Sequence, residues 1–258
     1  MNRIDLRFNK LKEENEKALI PFVTFGTGMT KEETINLVID LDKNGATIVE
    51  IGVPFSDPLA DGPVIQNAYT KALSEGLKLK DVFEAVYEIR KESEIPLVIM
   101  VYFNVIYCRG IKKFLEEASK AGVDGLIVPD IPLEERGELN ELCKKNDIYL
   151  IPLVARTSKD RIAKIVDNAK GFVYCVSTNG TTGERTALDD GTIDYLEQVR
   201  KIVDIPMCIG FGISSKEVVH EVKDHCDGVI VGSAIVKRMV DGQGSVIDFI
   251  NDLKKGFN

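Results

Sequence analysis

The stretch IPFVTFGTGMTKEETINLVIDLDKNGATIVEI, residues 20–51, contains one complete unit of the fold. It begins and ends with short apolar runs that do not alternate with polar residues, which is typical of a parallel strand covered on both faces. Between these runs, Ile35, Val38 and Ile39 recur at helical spacing, and Asn44-Gly45 supplies a helix stop. The stretch therefore predicts a strand, a helix and a second parallel strand, joined by a right-handed crossover.

The same alternation of strand and helix fills the rest of the chain. Helix-periodic segments such as residues 111–122 separate eight apolar runs. The runs are IPFVTF from Ile20, TIVEI from Thr47, PLVIMV from Pro96, GLIVP from Gly125, IYLIPLV from Ile148, GFVYCV from Gly171, IPMCIG from Ile205 and GVIVG from Gly228. Eight repeats without a linker predict a single α/β domain over residues 1–258, a (β/α)8 or TIM barrel, with an open doubly wound sheet as the alternative.

An extra N-terminal helix is predicted before the first strand, over residues 1 to about 13. Its apolar side chains are available to cover the bottom of the barrel. These side chains are Ile4, Leu6, Phe8 and Leu11.

Composition and charge exclude several classes of protein. The 33 basic and 41 acidic residues give a net charge of −8, which argues against non-specific binding to nucleic acid or to an anionic membrane. The longest apolar run, residues 95–103, is far shorter than the roughly 20 residues that span a bilayer. The charged N-terminal segment and five scattered cysteines without a C-x-x-C motif favour the cytoplasm and reduced thiols.

Two connections are longer than the others. Residues 54–63 follow the second run, and residues 177–191 follow the sixth. Because a (β/α)8 barrel builds its active site from the loops at the carboxyl ends of its strands, we expect the chemistry to lie there. Loop length alone also fits mere decoration.

The residue types near these strand ends argue against two kinds of catalysis. The two histidines, His220 and His225, fall in or just after the helical stretch behind the seventh run, so they are not placed to bind a catalytic metal. No lysine occurs within the eight runs, which argues against a Schiff-base lyase that takes its amine from the barrel interior. Carboxylates remain as the candidate catalytic groups, and no metal is expected.

Glu50 is the first of these carboxylates. Val49 and Ile51 share one parity and face the helices, so Glu50 has the other parity and points into the barrel. Burial would raise the pKa of this carboxyl and make it a working base, although a salt bridge or a different strand register is the alternative. Asp61, in the long loop after the second run, is the candidate partner. Asp57 in the same loop fits a turn better.

Two glycine-rich turns near the end of the chain predict a phosphate site. GFGISS follows the seventh run and GSAIV follows the eighth, and each opens a helix. Glycine lets the backbone approach an anion, and a helix N-terminus presents free N–H groups with the positive end of its dipole. The candidate residues are Gly212, Gly232 and Ser233, joined by Gly183 from the loop after the sixth run.

The segment VEIGVPFSDPLADGPVIQ, residues 49–66, closely resembles the signature of the tryptophan synthase α subunit family. The resemblance continues over the whole chain, in the family's order. The further segments are IPFVTFG, VYFNVIYCRGIKKFLEEASKAGVDGLIVPDIP, GFVYCVS, NGTTGER, IGFGISS and GVIVGSAIV. The second-run motif is highly specific, and the others are moderately so.

The resemblance implies a reversible retro-aldol cleavage of indole-3-glycerol phosphate to indole and glyceraldehyde 3-phosphate. Glu50 then matches the family's proton-transferring glutamate, Asp61 the aspartate that binds the indole N–H, and Tyr174 an active-site tyrosine. Thr182 lies in the segment that matches the family's loop, which closes over the site. The apolar wall around indole would consist of Phe22, Met100, Ile127, Phe211 and Ile230, for which core packing is the alternative.

The resemblance also implies a partner. The family's β subunit binds pyridoxal phosphate and receives the indole in an α2β2 heterotetramer, so this chain would need no cofactor of its own. Pro58 and Pro132 lie in segments that help to form that interface in the family. The sequence departs from the family's common pattern at TFGTGMT around Thr27, at VART around Arg156 and at Thr181, which puts local turn geometry and loop closure in question but not the reaction.

Two other functions fit the same residues. A free-standing lyase would release indole without a partner. A non-catalytic barrel would bind a phosphate ligand and only activate the β subunit, although Glu50 and Asp61 argue against it.

Overall fold

The computed structural model describes residues 1–176, 191–210, 212–242 and 244–258. The strands are β1 Ala18–Thr24, β2 Val49–Gly52, β3 Leu97–Met100, β4 Gly125–Ile127, β5 Tyr149–Leu150, β6 Leu153–Ala155, β7 Val173–Val176, β8 Met207–Gly210 and β9 Gly228–Val231. The helices are α1 Arg3–Glu14, α2 Lys31–Lys43, α3 Pro63–Ser74, α4 Leu79–Ile89, α5 Phe103–Arg109, α6 Ile111–Ala121, α7 Gly137–Lys145, α8 Ile162–Val166, α9 Thr192–Arg200, α10 Lys216–Val222, α11 Ser233–Asp241 and α12 Val246–Lys254, with 3-10 turns at Arg156–Arg161 and Lys255–Phe257.

All strand pairs are parallel, and the strands lie in the order β5-β4-β3-β2-β1-β9-β8-β7-β6. The strands at the two ends, β5 and β6, are consecutive pieces of the predicted fifth run, separated only by Ile151 and Pro152. Proline has no N–H to donate to a neighbouring strand, so the ladder changes partner there. The interrupted run closes the sheet into a barrel of eight strands, as the eight runs predict.

Residues of alternating parity divide the apolar side chains into two cores. Ile48 belongs to a cluster inside the barrel together with side chains from the other strands, whereas Val49 and Ile51 belong to the larger cluster between the strands and the outer helices. The pattern places Glu50 on the same face as Ile48. The parity prediction from the sequence is therefore confirmed for this strand.

The N-terminal helix α1 covers the bottom of the barrel. Ile4 is fully buried and Phe8 nearly so, both within the interior cluster, and Leu11 packs against it. The expectation for Leu6 is wrong, because this side chain is 54% exposed. Successive helical residues are rotated by about 100°, so a residue two positions from Ile4 lies on the opposite side of the helix.

Within the described residues, no helix has the length and apolarity to cross a membrane.

Candidate active site

Glu50 lies inside the barrel, in register with Phe22 of β1 and Val98 of β3. Its residue surface is 1% exposed, and neither carboxyl oxygen has a hydrogen-bond partner in the described part of the chain. Burial among apolar side chains, and secondarily the charge of Asp61, raises the pKa of Glu50 to about 8. A carboxyl group of this kind holds a proton at neutral pH and can give it up and take it back.

Asp61 is held in the loop after β2 by bonds on both sides of its Cα. Its backbone N–H donates to the carbonyl of Pro58 at 3.0 Å, and Gln66 Nε2 of α3 donates to the Asp61 carbonyl at 2.8 Å. The hydroxyl of Tyr102 donates to Asp61 Oδ2 at 2.7 Å, and the same hydroxyl accepts from the N–H of Ala60 at 3.1 Å. This loop therefore delivers one oriented carboxylate to the mouth of the barrel.

The environments of the two carboxyl groups separate their pKa values. Burial raises the pKa of Asp61 to about 6, and the hydrogen bond from Tyr102 opposes that rise. Glu50 has no such donor, and its pKa is about 8. At pH 7 the pair therefore consists of a protonated Glu50 and a charged Asp61, an acid beside a fixed negative charge.

Tyr174 of β7 also lies near this pair of carboxyl groups. It is 5% exposed, and its pKa is raised well above the usual value by burial and then by the charges of Glu50 and Asp61. Its ring lies over Gly210 at the end of β8, where a Cβ atom would overlap the tyrosine ring and hydroxyl. A side chain at position 210 would therefore displace the tyrosine.

The predicted apolar wall lies in the barrel interior as far as it is described. Four of its members belong to the inner cluster and are 6% exposed or less: Phe22, Met100, Ile127 and Ile230. The fifth, Phe211, lies outside the described residues, as do Gly183, Thr182 and Thr181.

The two glycine-rich turns differ in how their helices begin. Gly212 follows β8 with φ of +88°, but α10 begins four residues later, at Lys216, and the Ser215 side chain already accepts from the Val218 N–H. Gly232 is the N-cap of α11, so no side chain caps that helix, and the buried Ser233 is its first residue. Because β8 and β9 are neighbours, both turns lie at one edge of the mouth. The backbone amides of α11 are the better anion site of the two.

Other residues singled out in the sequence are placed as follows. Asp57 is exposed and its carbonyl accepts from the Leu59 N–H, which is turn geometry. Pro58 is buried and Pro132 is exposed. The Thr27 hydroxyl is buried and donates to the carbonyl of Ala68, whereas Arg156 donates to the Thr192 hydroxyl at 3.3 Å.

Two tyrosines of the site were missed by the sequence reasoning. Tyr102 lies two residues after the end of β3, and a polar residue at the carboxyl end of a barrel strand is a signal that could have identified it. Tyr69 of α3 is 1% exposed, and its hydroxyl has no partner in the described residues. The sequence carries no such signal for Tyr69, because helical spacing gives it only as a core residue.

The described residues contain no group of three or more histidine, cysteine, aspartate or glutamate side chains that could hold a metal ion. His220 lies in α10 and His225 just beyond it, as predicted. Among the described residues, the polar groups placed at the mouth are carboxyl, phenol, the Ser233 hydroxyl and backbone amide groups.

Comparison with known proteins gives one family throughout. The family model described as "Tryptophan synthase alpha chain" matches residues 8–254. The tryptophan synthase alpha chain of Clostridium beijerinckii is 73% identical over 256 residues, covering 99% of both chains. The solved tryptophan synthase subunit alpha of Legionella pneumophila has 33% identity and a TM-score of 0.90 over 100% of this chain and 98% of that one. A chain of the tryptophan synthase complex of Pyrococcus furiosus has 35% identity and a TM-score of 0.83 over 93% and 97%. This protein belongs to the tryptophan synthase alpha chain family.

Proposed function

We propose that the chain cleaves indole-3-glycerol phosphate to indole and glyceraldehyde 3-phosphate, with Glu50 and Asp61 as its catalytic carboxyl groups. One observation carries the proposal: two buried carboxyls at the barrel mouth, of which Glu50 has no partner among the described residues and Asp61 is oriented by Tyr102. A protein that needed these groups only for stability would pair both of them.

The separated pKa values assign the proton transfers. Glu50 begins protonated and donates to C3 of the indole ring, which becomes positively charged. The charged Asp61 lies beside the ring N–H and stabilises that charge. Glu50, now a carboxylate, removes the proton of the glycerol hydroxyl next to the ring. The O–H bonding pair becomes the new carbonyl bond, the carbon–carbon bond breaks, and its electrons return to the ring.

The rest of the mouth binds the two ends of the substrate. The uncapped amides at Gly232 and Ser233, with Gly212 beside them, bind the phosphate dianion, and Gly183 joins them from the loop after β7. Tyr174 faces the reacting chain, and the apolar wall of Phe22, Met100, Ile127, Phe211 and Ile230 surrounds the indole. Thr182 belongs to the loop that closes over the site.

The partner in this proposal is a tryptophan synthase β subunit, which binds the pyridoxal phosphate and receives the indole in an α2β2 complex. Leu59 is 85% exposed beside the buried Pro58, and Pro132 is exposed as well. In the proposed complex, the β subunit covers the loop that carries Leu59 and Asp61. The chain itself, one barrel domain over residues 1–258, needs no cofactor and works in the cytoplasm.

Glu50→Gln tests the chemistry, because it keeps the shape of the side chain and removes the proton. We expect the rate of indole release from indole-3-glycerol phosphate to fall about 100-fold or more. The affinity for glycerol 3-phosphate, measured by calorimetry, should change less than about twofold, because the proposed phosphate site follows β9, which β1 separates from the strand of Glu50.

Glu84→Gln is the matched control, since Glu84 is an exposed glutamate paired with Lys31 on the outer helices. It should leave the rate unchanged. All three proteins are assayed with and without a β subunit. Full activity in Glu50→Gln would overturn the mechanism, and a wild-type chain as fast alone as with the partner would overturn the complex.

A further inference from the structure

The buried polar groups at the mouth are not all accounted for by the two carboxyls. Within the described residues, three buried side-chain atoms have no hydrogen-bond partner: both carboxyl oxygens of Glu50 and the hydroxyl of Tyr69. An unpaired buried donor or acceptor costs free energy, so native proteins keep few of them without a reason. The Glu50 oxygens and the Tyr69 hydroxyl lie in the same part of the molecule. This indicates that a polar group of a bound ligand forms hydrogen bonds with them.

Tyr69 reaches this position from a helix outside the barrel. It belongs to α3, yet its side chain is part of the cluster inside the barrel. The helix is held against the loop after β1, where the Thr27 hydroxyl donates to the carbonyl of Ala68. The phenol therefore enters the mouth from above the strand ends.

Gly52 makes room for the hydroxyl at the end of β2. A Cβ atom at this position would overlap the Tyr69 hydroxyl and the Phe22 ring. Residues 50 and 52 face the same side of the strand, about 6.6 Å apart along it. The Tyr69 hydroxyl thus lies one layer beyond Glu50 on the same inner face.

The two groups face the same space without satisfying each other. Glu50 and Tyr69 are each 1% exposed, and neither accepts from or donates to the other. Tyr102 offers a contrast, because its hydroxyl is already engaged by Asp61 and Ala60. A hydroxyl group between Glu50 and Tyr69 would satisfy both, since it donates to a carboxylate and accepts from a phenol.

We infer that Tyr69 contacts the substrate, and that its hydroxyl donates a hydrogen bond to the glycerol hydroxyl whose proton Glu50 removes. This inference rests on the proposed function. As Glu50 takes the proton, negative charge develops on that oxygen before the carbonyl forms, and a fixed O–H donor stabilises it. Burial raises the pKa of Tyr69 well above its usual value, so the phenol keeps its proton as a donor. Tyr69 is then a catalytic residue of this chain.

Tyr69→Phe tests the inference, because it removes only the hydroxyl. We expect kcat for cleavage of indole-3-glycerol phosphate to fall about tenfold or more, with a smaller change in KM. The affinity for an analogue whose chain is an unsubstituted propyl phosphate should change less than about twofold, because that chain has no hydroxyl to accept the bond. The melting temperature should not fall, because the lost hydroxyl has no partner among the described residues.

Tyr195→Phe is the matched control. Its buried hydroxyl donates to the carbonyl of Val154 at 2.7 Å, within the outer cluster. This change should lower the melting temperature and leave kcat unchanged. All assays use the chain with its β subunit.

Two results would overturn the role of Tyr69 without affecting the proposed function. One is an unchanged kcat in Tyr69→Phe. The other is a loss of affinity for the propyl phosphate analogue as large as the loss of kcat, which would make Tyr69 part of the apolar wall. If the wild-type chain does not cleave indole-3-glycerol phosphate at all, the proposed function fails, and this inference fails with it.

Discussion

Two buried carboxyl groups at opposite ends of the barrel have opposite surroundings. Asp124, just before β4 at the bottom, is 3% exposed and accepts from Arg90 Nη2 at 2.7 Å, Arg3 Nη1 at 3.1 Å and the Leu97 N–H at 2.8 Å. Glu50, toward the carboxyl end of β2, is 1% exposed and accepts from no described residue. Nearly equal burial therefore accompanies complete pairing at one end and none at the other.

The difference separates stability from chemistry. At the bottom, burial raises the pKa of Asp124, and the two guanidinium groups and the Leu97 N–H oppose that rise. At the mouth, burial and the nearby Asp61 both raise the pKa of Glu50, and nothing opposes them. The bottom network joins α1, α4 and two strands, whereas at the mouth Glu50, the proposed proton-transfer group, has no partner among the described residues.

Asp124→Asn should produce the largest change in stability. It removes the negative charge between two arginines and leaves the side chain of Arg90, which is 9% exposed, without its charged partner. We expect the free energy of unfolding to fall by about 3 kcal/mol. Urea unfolding followed by circular dichroism measures it, and the rate of indole release per folded molecule should stay within about twofold of wild type.

Glu134→Gln is the control for this change, because its ion pair with Arg161 lies on the surface. Exposed pairs contribute about 0–1 kcal/mol, so this variant should unfold much as wild type does. Equal losses in the two variants would contradict a structural role for the bottom network.

Glu50→Gln, unlike Asp124→Asn, should gain stability relative to wild type as the pH rises. Since the pKa of Glu50 is about 8 in the folded protein and near 4.5 unfolded, the folded state binds the extra proton between these values. The free energy of unfolding of the wild type therefore falls as pH rises from about 4.5 to 8. The stability that the proton on Glu50 supplies is lost fully above the folded pKa. Glutamine does not titrate, so the variant lacks this loss.

The stability of Glu50→Gln relative to wild type should consequently increase by about 2 kcal/mol between pH 5.5 and pH 7. The cost of burying an unpaired amide is the same at both pH values and cancels from the difference. Urea unfolding at the two pH values measures it. A relative stability that does not change with pH would mean that Glu50 is charged throughout and does not begin the reaction as an acid.

The sequence predicts the frame of the barrel well because the frame depends on local periodicity. Parity within TIVEI places Glu50 inside, and the N-terminal helix, the eight runs and the positions of His220 and His225 are confirmed. The same reasoning also explains its own error. Leu6 departs from the spacing of Ile4, Phe8 and Leu11, so strict periodicity would have left it exposed.

The details of the site depend on contacts between distant segments, and these were not predicted. Tyr102 meets Asp61 from another loop, and Tyr69 occupies space that Gly52 leaves on another element. The Ser215 cap on α10 is local but was not predicted, because the glycines of the same segment also fit an anion site. The roles of Glu50, Asp61, Tyr174 and the glycines stay predictions until substrate binding is measured.

Of the three variants Asp124→Asn, Glu50→Gln and Tyr102→Phe, the last should have the smallest effect. It tests whether a neighbouring hydrogen bond stabilises a charged carboxylate at the mouth, as such bonds do at the bottom. The hydrogen bond from Tyr102 favours the charged form of Asp61 and lowers its pKa against the effect of burial. The proposed mechanism requires charged Asp61 and protonated Glu50, so kcat/KM of the wild type should form a bell between about pH 6 and pH 8. Removing the hydroxyl should move the acid limb to higher pH by about one unit and leave the basic limb in place, with a loss of about twofold at pH 7. Tyr195→Phe, whose lost bond lies outside the barrel, should leave both limbs unchanged. An acid limb that does not move in Tyr102→Phe would show that Asp61 is charged without help, and that support from neighbours is confined to the bottom of the barrel.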